Sequence, residues 1–247
     1  LHYTRVIKVI LGHDGIIGSI IGDALLAVYG VFPGDSIRMK SYQAVVTGYQ
    51  IHEVAKQIRK EMMQVREKII EERGELTPEE DKVYRAVLID VGVGIDGGMV
   101  FYGNIGSHER MTNTVIGDNV NSASRLEGLN RIYRIPVICS QYIKQDIEKN
   151  VPEAKMKFVE IDTVQVKGKT EGKKIYWPIP RSEIDRGMRS QLKLFSEGLH
   201  LYYKGNWKKA GKFFEQCTLP MAEVFRNRTG SRACPKNWKG IWAMDSK

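Results

Sequence analysis

Asn121 and Arg125 stand four residues apart in VNSASRLEGLNRIYR, a stretch whose apolar spacing predicts a helix. Both side chains therefore leave one face, a turn apart. A carboxamide beside a guanidinium is a donor pair suited to a phosphate, or to the phosphorane-like transition state of phosphoryl transfer. The same spacing also occurs on solvated helix faces that do no chemistry. A second chemical residue is Asp23. It follows Gly22 between two apolar runs, and a Gly-X pair between β-rich runs predicts a tight hairpin with glycine at the first turn position. The Asp23 carboxylate is then held at the hairpin tip, facing outward to a ligand.

Other candidates read more plainly. The glycines at 92, 94, 97 and 98 suggest a phosphate loop but lack a following Lys-Ser/Thr, so they read as allowances for a turn and close packing. Asp118 is placed to cap the helix that follows it. His13, His52 and His108 are isolated and show no metal-ligand pairing.

These residues need elements to position them. Residues 1–12 end an amphipathic helix, and IIGSI-IGD-ALLAVYG is the hairpin. From about Lys40 to Arg73 the chain reads as a helix, with Val54, Ile58, Met62, Val65 and Ile69 at spacings of three and four. Thr77-Pro78-Glu79-Glu80 offers a second helix start. Strand, turn at Gly97-Gly98 and strand follow, then the Asn121/Arg125 helix, the strand PVICS, the helix QYIKQDIEKNV and a final strand pair. That order predicts an α+β fold with a ferredoxin-like βαββαβ core. Beyond Pro180 two helical stretches meet at Lys204-Gly205-Asn206. Gly198, Ala210 and Phe214 fall where a single tetratricopeptide unit places its packing residues, so residues 181–247 are expected to form a helical extension capping the main domain.

The string GNIGSHERMTNTVIGDNVNSASRLE (103–127) closely resembles the GNxGxxxRxxYTxIGDxVNxASRLE segment of class III nucleotide cyclase catalytic domains. GDALLAVYG, GVGIDGGMVFYG and VQVKGKTEGKKIYWP resemble three further motifs of that family, in family order, over roughly 155 residues (23–177). The resemblance implies conversion of ATP to 3′,5′-cyclic AMP and pyrophosphate by a head-to-tail homodimer with Mg²⁺ or Mn²⁺, two ions per site in the complete protein. It implies these roles: Asp23 a metal ligand, Asn121 orienting the ribose and Arg125 stabilising the α-phosphoryl charge. Lys167 then meets the distal phosphates with Lys169 as helper, and Thr114 reads the base edge. Ser19 stands where the family's other base-reading residue is lysine. The family's first metal aspartate lies on a strand before the opening helix, which this chain does not include. Residues 1–180 are thus expected to be a catalytic domain lacking its first strand, with a helical insertion at about 40–80, and residues 1–247 alone are expected not to cyclise nucleotide. The insertion reads equally as a regulatory contact or as an unpartnered surface helix. A guanylate-making enzyme and a degenerate dimerisation or sensing module remain alternatives.

Composition fits a soluble globular protein: 247 residues, 42% hydrophobic and 27% charged. The formal charge of +9 suits a polyanionic partner, yet the basic residues are spread along the chain without aromatic interleaving. Nucleic acid is therefore not the expected partner. Cys139, Cys217 and Cys234 have no CxxC spacing, which fits a reducing compartment and a cytoplasmic location, including the cytoplasmic part of a membrane-anchored parent with an upstream regulatory domain.

Overall fold

The computed structural model describes residues 2–87, 91–107, 109, 111–165, 171–230 and 233–244. Its elements are α1 (His2–Leu11), β1 (Ile16–Ile21), β2 (Ala24–Val28), α2 (Asp35–Arg73), α3 (Pro78–Val87), β3 (Val93–Ile95), β4 (Phe101–Gly106) and β5 (Met111–Ile116). They continue with α4 (Asp118–Tyr133), β6 (Val137–Ser140), α5 (Gln141–Asn150), β7 (Met156–Gln165), β8 (Lys173–Pro180), α6 (Arg186–Tyr203), α7 (Trp207–Gln216), α8 (Ala222–Gly230) and β9 (Trp242–Ala243). The fold is α+β, with helices around a central five-stranded sheet of order β3-β6-β8-β7-β9. The β1–β2 and β4–β5 hairpins form two further two-stranded sheets.

The first hairpin turns as its sequence predicts. Ile21 pairs with Ala24, leaving Gly22-Asp23 as a two-residue loop, and Gly22 takes φ 62°, a value glycine adopts without a steric cost. Helix α1 lies along this hairpin. At the tip the Tyr3 hydroxyl donates to the Gly22 carbonyl at 2.9 Å; at the base the Gly15 N–H donates to the carbonyl of fully buried Ile10 at 3.0 Å.

Residues 40–80 do not form a single insertion outside the core. Helix α2 runs 39 residues, about 58 Å at 1.5 Å per residue, and its first half is core. Ala44 and Val45 are buried there, and Gly48 lies against Val93 of β3 and Val137 of β6. Beyond Tyr49 no α2 residue is buried, so only this later half stands outside. It carries α1 and α3 through the Arg5–Glu61 and Arg73–Glu80 ion pairs. Helix α3 starts on a capping box: Glu80 N–H donates to Thr77 Oγ1, and Thr77 N–H donates to a Glu80 carboxylate oxygen.

The strands on either side of Gly97-Gly98 are not partners. β3 pairs in parallel with β6, whereas β4 pairs with β5. The partner of β4 is residues 111–116, a stretch whose motif carries no alternating strand pattern of its own. Asp118 does not cap α4 either. Gly117 occupies the cap position with no side-chain cap bond, and Asp118 lies in the first helical turn, where a carboxylate complements the helix dipole.

One apolar cluster joins α2 and α5 to β3, β6 and β8. Another runs from Leu126, Leu129 and Tyr133 of α4 through β7 and β8 into α6, α7 and α8. Gly198 of α6 lies against Phe214 of α7, and Tyr202 stacks on Trp207 at 5.2 Å between ring centroids. α8 and β9 complete this layer: Phe225 meets Phe214 at 4.8 Å, and β9 pairs in parallel with β7.

Candidate active site at the start of helix α4

Asp23 is exposed at the β1–β2 tip, and Ser19 lies on β1 beside a bulge, paired with Leu26. β1 packs on β5 through Gly18, which meets Val115. Thr114 precedes Val115 on β5, is half-buried and pairs with Gly103. Gly117 alone then separates β5 from α4, which carries Asn121 and Arg125. β1 thus packs beside β5, and β5 leads directly into the first turns of α4. Lys167, Lys169 and His108 lie outside the described residues.

Helix α4 sits on β3 at unusually short range. A Cβ on Gly94 would come within 2.2 Å of the Glu127 backbone nitrogen and 2.4 Å of the Ala123 carbonyl oxygen. The glycines of GVGIDGG therefore serve close packing. This seats Leu126 and Leu129 in the core and turns Asn121 outward, with Arg125 half-buried at the edge. Among the described residues neither Asn121 nor Arg125 has a side-chain hydrogen bond or ion pair, and none links them to Asp23, Ser19 or Thr114. A half-buried guanidinium with no carboxylate beside it is a ready anion site.

Three residues that sequence reasoning passed over meet behind this face. Asp96, at the end of β3, is 1% exposed in its side chain and accepts from the Lys173 ammonium. Lys173, the first residue of β8, also donates to Ser122 Oγ at 2.6 Å. The only sequence signal was a lone acid ending an apolar strand.

The family model for the adenylate and guanylate cyclase catalytic domain matches residues 2–179. The chain belongs to that family. Among its relatives, the terminal-differentiation specific adenylate cyclase of Dictyostelium discoideum is 27% identical over 206 residues, 83% of this chain and 8% of that protein. An adenylate cyclase of Anabaena cylindrica is 39% identical over 88 residues, 36% of this chain and 17% of that protein. The chain thus spans less than a fifth of either relative. The solved structure of the adenylyl cyclase CyaB from P. aeruginosa shares the fold, with TM-score 0.52 at 22% identity over 75% of this chain and 80% of that one.

Proposed function

We propose that this cyclase-family domain serves, within the whole protein, to convert ATP to 3′,5′-cyclic AMP and pyrophosphate in signal transduction. The observation that carries the reading is the Asn121/Arg125 face at the start of α4, which has no side-chain partner among the described residues. Arg125 would take up charge as it builds on the α-phosphoryl oxygens, and the Asn121 carboxamide would hold the ribose. The Thr114 hydroxyl and Ser19 would meet the base edge. Lys167 and Lys169 would meet the distal phosphates. The names of the relatives favour ATP over GTP.

Asp23 fits a divalent cation, since Mg²⁺ is commonly held by one or two carboxylates together with substrate phosphates. Asp23 offers one such exposed, hard ligand; among the described residues no cluster of three or more acidic, histidine or cysteine side chains stands in for a protein-only cage. When bound, Mg²⁺ or Mn²⁺ supplies acidification of the ribose 3′-hydroxyl and neutralisation of the triphosphate.

A head-to-tail homodimer belongs to the same proposal. Met99 (90% exposed), Phe101 (76%), Met111 (63%) and Ile116 (52%) leave an apolar surface on and beside the β4–β5 hairpin. We take residues 1–180 as the catalytic module and 181–247 as its helical support. Among the described residues no helix is long and apolar enough to cross a membrane.

The test is turnover by the whole protein with ATP and GTP in Mn²⁺. Cyclic AMP from ATP alone supports the proposal, GTP preference overturns the base assignment, and product from neither would favour a degenerate sensing module.

A further inference from the structure

The first two turns of α4 present Asn121 and Arg125, and Asp118 in the first turn complements the helix dipole without capping the helix. Its cap residue is Gly117, and no side chain caps the helix. An anchor comes from outside. The Lys173 ammonium donates at once to Ser122 Oγ, at 2.6 Å, and to the buried Asp96 carboxylate. Ser122 directly follows Asn121 and precedes Arg125 by three residues, so it shares their end of the helix.

The energetics favour a dedicated device. A carboxylate that is 1% exposed is costly unless its charge is matched, and Lys173 matches it while the Gly97 N–H donates to its other oxygen at 2.9 Å. A helix N-terminus repels a cation, so α4 would not recruit this ammonium itself; Asp96 holds it there. Lys173 is also the first residue of β8, directly after the segment that carries Lys167 and Lys169. One side chain therefore joins β3, β8 and α4.

We propose that Lys173, fixed by Asp96, is a positioning residue: through Ser122 it sets how the start of α4 presents Asn121 and Arg125 to the nucleotide. The proposal rests on the cyclase reading of this site. Lys173→Met alone strands a buried carboxylate and invites misfolding, so the informative variant is Asp96→Asn with Lys173→Met, which removes both charges together.

In the whole protein with ATP and Mn²⁺, this neutral pair is expected to lower kcat roughly 10- to 100-fold while KM stays within about threefold, because orientation counts most in the transition state. Its melting temperature should stay near that of the parent. Ser122→Ala should show a smaller loss of the same kind. In an Asn121→Ala background the loss from the neutral pair should shrink markedly, since a residue it positions is gone. An unchanged kcat, or a loss fully additive with Asn121→Ala, overturns the proposal. If Asn121→Ala by itself leaves turnover intact, the site assignment falls and the clamp falls with it. If Asn121→Ala is damaging and the neutral pair is silent, only the clamp falls.

Discussion

At the scale of single residues the site is defined by what its side chains leave free. Arg125 has no acid beside it among the described residues, so its loss should be felt in catalysis rather than in folding. Arg125→Ala is expected to reduce kcat by about 10²- to 10³-fold, with the unfolding midpoint unchanged. Arg125→Lys should recover little, because an ammonium cannot reproduce the planar fork of a guanidinium. Asp23 is exposed on a hairpin tip that Tyr3 ties down from α1. Asp23→Asn should therefore raise the Mn²⁺ concentration needed for half-maximal turnover while the circular dichroism spectrum stays the same. An unchanged metal dependence would remove Asp23 from the metal-binding role.

At the scale of elements, close contact and charge divide the labour. Gly94→Ala places a methyl group against the α4 backbone, an overpacking expected to cost about 1–3 kcal/mol in urea unfolding and to disturb activity with it. The outer half of α2 is held differently. Its contacts with α1 and α3 include surface ion pairs, Arg5–Glu61 and Arg73–Glu80. Hydrogen bonding to the Arg5 guanidinium lowers the Glu61 carboxyl, and the Thr77 N–H together with Arg73 lowers that of Glu80. Groups with depressed folded-state values support the fold above their ordinary value of about 4.3, and that support is lost as pH falls through the depressed range. Protection factors for amide hydrogen exchange in α1 and α3 should thus fall on acidification before those in β6–β8 do. Simultaneous loss across all elements would contradict this division.

At the scale of the whole molecule, the C-terminal helices and the sheet share one core. The family match ends at residue 179, yet Ile161, Ile179 and Leu126 pack in one cluster with Leu192, Phe195 and Phe225. A chain ending at residue 180 would expose that surface, and it is expected to aggregate or to bind hydrophobic dyes. Recovery of a soluble, cooperatively folding 1–180 protein would show that the helices are dispensable. The layers are also joined by charge: Arg228 of α8 donates to Asp162 of β7 at 2.6 Å and to the Tyr133 hydroxyl of α4 at 3.2 Å. Asp162 is fully buried. Arg228→Met leaves that carboxylate without its counter-ion and is expected to cost about 3–5 kcal/mol in chemical unfolding.

Much of this was legible from residue order alone, because local signals are local physics. Gly22-Asp23 specifies its own turn, Thr77 and Glu80 specify their own helix start, and the spacing of Asn121 and Arg125 puts them on one face wherever the helix lies. Family membership was also written in the order of four motifs. Strand partners were not, since β3 and β4 are neighbours in sequence while their hydrogen-bond partners are decided by which edges meet in space. Nor was the meeting of Asp96, Ser122 and Lys173, residues far apart in the chain that only the packing of β3, α4 and β8 brings together. The donor pair that first suggested phosphate chemistry is a property of one helix; what holds that helix in place is a property of the tertiary structure.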